Sequence, residues 1–255
     1  MNYIAGCASD TGIKRTNNQD SFCYELAQYR GQSLAFLVIC DGMGGFSKGE
    51  VASAEALLAF RQWFQNRLPQ ILEAGFSQEM LYKEWCSLAE SVNLRISEYA
   101  ASNGFKMGTT LTAVLFLNGQ YYGIHVGDCR LYEIQKHQVQ QLTHDHTVVQ
   151  REVDSGILSA ADAKHDVRQH ILLQCLGAGR EITPDFITGT VHQGSAYLLC
   201  SDGFRHKFSP EEMLNLNPGN HVTKKKIEKN LLNAIDRIKS RGETDNITAG
   251  LLVAT

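Results

Sequence analysis

Four acidic residues sit where apolar, strand-like runs meet turns. Leu37-Val38-Ile39-Cys40 delivers Asp41 into Gly42-Met43-Gly44-Gly45, and Tyr197-Leu198-Leu199-Cys200-Ser201 delivers Asp202 into Gly203. Asp20 immediately precedes a strand-like run, and Asp245 stands one residue further from another. Asp-Gly after a strand commonly marks a tight hairpin. Here no second strand follows Asp41; the chain passes through Gly44, Gly45 and Gly49 into a helical pattern. The recurrence of carboxylates at strand ends suggests a shared site. Two unit charges ~4 Å apart repel by about 4 kcal/mol at an effective dielectric near 20, so a cation should offset such a gathering. All-oxygen ligands suit Mg²⁺ or Mn²⁺ better than zinc. A pair of such ions, ~3.5–4 Å apart, suits phosphoryl transfer to water. Arg15, in the loop leading to Asp20, is placed to hold a substrate phosphate bidentately.

Other chemistries lack their residues. A cysteine phosphatase needs Arg six positions after its nucleophile, and none of the seven cysteines has it; Cys200 has Arg205 at five. Gly-x-x-x-x-Gly-Lys-Ser/Thr and Gly-x-Ser-x-Gly are absent, as is zinc-type His-Glu-x-x-His spacing. His125, within a strand, and His144 and His146 read as ordinary polar residues.

The elements that must carry these groups follow from periodicity. Residues 3–9, 21–27 and 33–40 read as strands. Helical spacing runs from Glu50 to Leu68, is interrupted from Pro69 to Gly75, and resumes with Leu81, Trp85, Leu88, Val92, Ile96 and Tyr99 on one face. The two helices are expected to lie antiparallel. Strands at 110–117 and 120–126 flank Asn118-Gly119, a strong hairpin signal. Gly127-Asp128 reads as another turn, with strands at 130–134 and 138–142 continuing an antiparallel meander rather than a βαβ pattern. Residues 143–176 are polar, rich in His and Asp, and read as a surface insertion adding little to the core. Strands at 185–190 and 196–201 follow. Ser209-Pro210-Glu211-Glu212 forms a capping box, and a helix over 223–240 turns Ile227, Leu231, Ile235 and Ile238 inward. Ile247 to Val253 is the last strand. This count favours two antiparallel sheets face to face with helices outside.

Composition excludes other classes. The 255 residues are 43% hydrophobic and 20% charged, an ordinary globular balance. A net charge of −3 makes no electrostatic case for nucleic acid or an anionic membrane. The seven cysteines form no Cys-x-x-Cys pair and fall mostly in apolar runs, as small core residues do in a reducing compartment. With no span-length apolar run and no signal-like segment, the expected location is the cytoplasm.

The ordered set of motifs resembles the metal-dependent serine/threonine protein phosphatases, type 2C (PPM) family, in their bacterial form. The matching blocks are residues 12–20, Asp41-Gly42-Met43-Gly44-Gly45, Met107-Gly108-Thr109-Thr110, His125 to Tyr132, Leu142-Thr143-His144-Asp145-His146, Leu176-Gly177, Cys200-Ser201-Asp202-Gly203 and Asp245-Asn246-Ile247-Thr248. Any one block is weak, whereas the ordered set spans nearly the whole chain. The resemblance implies an α+β fold, a four-layer α-β-β-α sandwich of two antiparallel sheets flanked by helices, as a single domain over residues 1–255 with a flap at 143–176. It implies hydrolysis of phosphoserine and phosphothreonine on proteins by water activated between two Mn²⁺ or Mg²⁺ ions. Asp41 would bridge both ions, the Gly42 carbonyl would bind one, and Asp202 and Asp245 would complete the other. Asp20 would act through bound water, and Arg15 would bind phosphate. Bacterial relatives hold a third ion with the acid of the Gly-Asp-x-Arg block, here Asp128, helped by Asp202.

The implied partners are phosphorylated proteins, including a serine/threonine kinase and its substrates, with no nucleic acid or membrane and a monomeric state. Three positions depart from the family pattern. Met43 replaces a His that many animal members use as general acid, Phe46 stands where a polar residue is common, and Cys129 replaces Ser. Two other functions fit the sequence: a dedicated phosphatase of one phosphorylated regulatory partner, and a non-catalytic phosphoprotein-binding module. The intact acids argue against the second.

Overall fold

The third strand shows how the layers are built. In the computed structural model it spans Gln32–Asp41 and alternates strictly. Leu34, Phe36, Val38 and Cys40 face one hydrophobic cluster, while Ala35, Leu37 and Ile39 face another. A strand buried on both faces must lie between two layers. The structure describes residues 1–43, 48–178, 181–217, 219 and 222–255. Gly44, Gly45 and Phe46 of the glycine turn lie outside the described residues.

Among the described residues the strands are β1 (Tyr3–Asp10), β2 (Asp20–Tyr29), β3 (Gln32–Asp41), β4 (Leu111–Leu117), β5 (Gln120–Val126), β6 (Arg130–Ile134), β7 (Val139–Gln141), β8 (Asp185–Thr190), β9 (Ala196–Cys200) and β10 (Ile247–Ala254). They form two five-stranded sheets, ordered β1-β10-β9-β6-β7 and β2-β3-β4-β5-β8, with the named strands paired antiparallel. The helices are α1 (Gly49–Gln62), α2 (Leu68–Ala74), α3 (Gln78–Ser102), α4 (Val148–Asp154), α5 (Ala160–Ala163), α6 (Asp202–Arg205), α7 (Pro210–Met213) and α8 (Lys224–Ser240).

Helices α1 and α3 cover the β3 sheet. Phe36 stacks on Phe64 at 5.1 Å, and Trp63 meets Trp85 edge-on at 5.3 Å. Each such side chain, fully buried, contributes roughly 1.5–3 kcal/mol. Ion pairs Glu55–Arg95 and Arg67–Glu84 run in opposite sequence directions, so α1 and α3 are antiparallel as expected. On the other side α8 lays Ile227, Leu231, Ala234, Ile235 and Ile238 against the β10 sheet. Between the sheets lie Leu37, Val114, Phe116, Leu131, Tyr197, Leu199 and Leu252. The result is the expected α-β-β-α sandwich.

Several sequence expectations change. The helix runs on through Pro69 and breaks only at Gly75, before α3 opens at Gln78. A π-helical turn, Trp63–Arg67, joins α1 to α2, and Pro69 sits in the first turn of α2, where its missing N–H costs little. Tyr99 is half exposed and meets Phe105 edge-on rather than lying buried on the α3 face. The larger correction is at Gly127-Asp128. It is not a hairpin turn within a meander but the crossing from β5 in one sheet to β6 in the other. Residues 11–19, between β1 and β2, make the same kind of crossing. The segment 143–176 is also less peripheral than its polarity suggests. Its ends bury Thr143, Asp145, His146, Thr147, Val149, Cys175 and Leu176, while Ile157 and Val167 are exposed in its middle. The Ser209 capping box forms as read, and the structure adds side-chain caps at Ser159 and Thr223.

Candidate active site

The two crossings and the ends of β3, β9 and the start of β10 lie at one end of the sandwich, and the acids gather there. Asp20 opens β2 and Asp41 closes β3, and the register makes them direct cross-strand partners. Like charges directly opposite one another destabilise a sheet, so this pairing is costly unless offset. Asp20 Oδ2 accepts a hydrogen bond from Ser201 Oγ at 2.9 Å, whereas Oδ1 is buried with no partner. Burial, against hydrogen bonds from Thr248 and Ser201 and with repulsion from Asp202 and Asp245, raises Asp20 to about 7. Burial and repulsion from Asp20, Asp202, Asp128 and Asp245 push Asp41 well above the usual carboxylate range.

The backbone around Asp41 is clamped. Its N–H donates to Thr110 Oγ1 at 2.8 Å, and its carbonyl accepts from Thr109 Oγ1 and Thr110 N, both at 2.9 Å. Gly42 N donates to the Gln19 carbonyl and Met43 N to the Gly108 carbonyl, each at 3.1 Å. A Cβ at Gly42 would fall on the carbonyls of Gly49 and Gln19, which accounts for glycine there. The Met107-Gly108-Thr109-Thr110 block thus holds Asp41 in place, a role not readable from sequence.

A second clamp positions Asp202 and Asp245. Ser201, immediately before the single turn α6, donates its N–H to the Thr248 carbonyl at 3.0 Å and receives Thr248 N on Oγ at 3.1 Å. Asn246 takes Gln19 N on Oδ1 at 2.9 Å and donates Nδ2 to the carbonyls of Thr11 and Asn17. It therefore ties the Arg15 loop to the strand that follows Asp245. Gly12 and Gly203 pack against the Asp245 and Asn246 carbonyls, where any Cβ would collide. Asp-Gly at 202–203 is thus a packing device and not a hairpin.

Arg15 reaches across this end and grips Asp245 with Nε to Oδ1 at 3.0 Å and Nη2 to Oδ2 at 2.9 Å. Asp128 is 4% exposed and pairs with Arg205, Nη2 to Oδ2 at 3.1 Å. His146 accepts Gly127 N and Gln174 Nε2 on Nδ1, and its Nε2 faces Asp185 Oδ2 at 3.1 Å. It is a structural brace for the turn before Asp128. His125 is buried and bonds Thr112 at 2.8 Å.

Among the described residues, no three His, Cys, Asp or Glu side chains converge on one point closely enough to ligate an ion by themselves. Mg²⁺ and Mn²⁺ do not require that. Mg²⁺ in particular keeps several waters and is held through one or two carboxylates. The donor set fits such a cation: opposed carboxylates in mutual repulsion, an orphaned buried oxygen on Asp20, and a pinned Gly42 backbone.

A cavity of about 810 Å³ lies beside this end, lined by Arg130, Asp145 and Arg205, by Val149 and Lys164 of the 143–176 segment, and by Lys207 to Met213.

The sequence and the fold also match known proteins. Residues 13–232 match a family model described as Protein phosphatase 2C. The chain is 29% identical over 247 residues to Protein phosphatase PhpP of Streptococcus pneumoniae, covering 96% of this chain and 94% of that protein. It is 33% identical over 221 residues to the serine/threonine phosphatase stp of Listeria monocytogenes, covering 85% and 83%. The catalytic domain of the serine/threonine protein phosphatase PstP, solved with 2 manganese ions, superposes with a TM-score of 0.77 at 27% identity, covering 98% of this chain and 97% of that one.

Proposed function

This chain belongs to the protein phosphatase 2C family, and we propose that it hydrolyses phosphoserine and phosphothreonine on proteins through Arg15, Asp20, Asp41, Gly42, Asp202 and Asp245. The observation that carries the residue assignment is the register pair Asp20–Asp41, with Asp20 Oδ1 buried and unpartnered. Asp41 would hold two divalent cations, joined by the Gly42 carbonyl on one side and by Asp202 and Asp245 on the other. When bound, these ions supply charge that offsets the carboxylates and the phosphate, and they acidify water.

The chain's own groups do the rest. Asp20, fixed by Ser201, offers Oδ1 as an acceptor that orients the attacking water. Arg15 binds two phosphate oxygens with the same fork that holds Asp245. Thr109, Thr110 and Asn246 keep the reacting groups at fixed separation, which lowers the entropic cost of reaching the transition state. Met43 has no ionisable group and so cannot protonate the departing oxygen.

The reading extends to partners and place. A kinase that makes these phosphoproteins is the opposing activity, the flap 143–176 belongs to one catalytic domain with the rest, and a monomer is the expected state. No helix of the described residues is long and apolar enough to cross a membrane. The free cysteines support a reducing compartment such as the cytoplasm. The test is release of phosphate from phosphothreonine peptides with Mn²⁺, with chelator, and in Asp41→Asn. Full turnover by the dialysed protein in chelator would rule the reading out.

A further inference from the structure

Arg205 has no part in the reaction above, yet it is among the most buried charges of the molecule, with a side chain 6% exposed. Its Nη2 lies 3.1 Å from Asp128 Oδ2, 3.4 Å from the Asp128 carbonyl and 3.6 Å from Asp145 Oδ2. We propose that the Arg205 guanidinium stands where a third divalent ion would be needed: it pairs directly with Asp128, so Asp128 is a structural partner of Arg205 and not a metal ligand. This rests on the metal-dependent reading of the site above.

Charge balance carries the argument. Arg130 holds Asp145 through Nε at 2.8 Å and Nη2 at 2.7 Å, and donates Nη1 to Tyr132 at 3.0 Å. Arg130, Asp145, Arg205 and Asp128 are therefore linked in one chain of two arginines and two carboxylates. Guanidinium does not lose its proton in proteins, so both positive charges are present at any working pH. A divalent ion on Asp128 would set two further positive charges against the Arg205 guanidinium, whose side chain is 6% exposed, a costly state unless the arginine leaves.

Arg205 is poorly able to leave. It ends the one-turn helix α6, which Ser201 ties to Thr248 and Phe204 anchors with a fully buried ring. Moving it would also strip Asp145, at the start of the flap, of its second cation. An arginine thus does here, without exchange, the electrostatic work that an ion would do reversibly.

The experiment counts Mn²⁺ bound per chain by equilibrium dialysis and metal analysis, on folded wild type, Asp41→Asn, Asp128→Asn and Arg205→Ala. Asp128→Asn is expected to bind as many ions as wild type. Arg205→Ala, which uncovers the Asp128 carboxylate, is expected to gain one. Loss of one ion in Asp128→Asn, or no gain in Arg205→Ala, overturns the proposal. If Arg205→Ala does not fold, the Asp128→Asn count decides alone. Asp41→Asn is the control for the underlying reading: ion binding unchanged there would refute the paired-metal site itself, whatever Asp128 does.

Discussion

Arg15 and Asp245, far apart in the chain, are joined by two hydrogen bonds of 3.0 and 2.9 Å in a fork-to-carboxylate geometry. One is the proposed phosphate ligand and the other a proposed metal ligand. The pair is a little over one third exposed on each side, so it contributes little stability by itself. Its consequence is competition: a cation drawing on Asp245 frees the guanidinium for phosphate.

Arg15→Ala should therefore raise KM for aryl phosphates roughly 10- to 100-fold, from loss of a charge-assisted pair worth about 1.5–3 kcal/mol. The Mn²⁺ concentration for half-maximal activity should not rise, because Asp245 loses a competitor. Steady-state kinetics over a metal series measure both, and an unchanged KM removes Arg15 from the site.

Asp41→Asn should act in opposite directions on stability and activity. It relieves the repulsion facing Asp20 across the strand pair, so in chelator its Tm should exceed that of wild type. For a protein of this size each kcal/mol gained raises Tm by roughly 2–4 °C. Turnover should vanish, and Mn²⁺ should raise the melting point of wild type but not of the variant. A lower Tm in chelator would mean that Asp41 is held by contacts rather than strained by charge.

His125 sets an acid limit on stability. Burial, then the neighbouring His146, lowers its pKa from 6.5 to about 4, so the folded protein binds fewer protons there than the unfolded chain between those values. Stability from this group is present above pH 6.5 and is lost as pH falls toward 4, by up to ~3 kcal/mol. Urea unfolding in chelator at pH 7 and pH 4.5 should show a smaller loss in His125→Asn than in wild type. Equal losses would place the acid sensitivity elsewhere.

Arg168 ties the flap together, bonding Glu152 at 2.9 and 2.8 Å and Asp166 at 3.0 and 2.7 Å. Arg168→Ala should make residues 155–170 susceptible to limited proteolysis and lower phosphopeptide turnover more than aryl phosphate turnover, which should stay within a few-fold of wild type. A parallel fall of both rates would make the flap part of the catalytic scaffold.

Local chemistry made much of this protein legible in advance. Alternating and helical periods, the Asn118-Gly119 hairpin, the Ser209 capping box and the acids at strand ends are encoded within a few residues of where they act, so sequence alone determined the elements, the layered fold and the identity of Asp20, Asp41, Asp202, Asp245 and Arg15 as candidates. What only the tertiary structure decided depends on which segments meet. The direct Asp20–Asp41 register, the passage of Gly127-Asp128 between sheets, the clamps by Thr109, Thr110 and Asn246, and the pairing of Arg205 with Asp128 join residues from about twenty to more than two hundred positions apart. Sequence spacing carries no information on such pairings, because they follow from sheet register and from the need of buried charges to find partners wherever the packed chain supplies them.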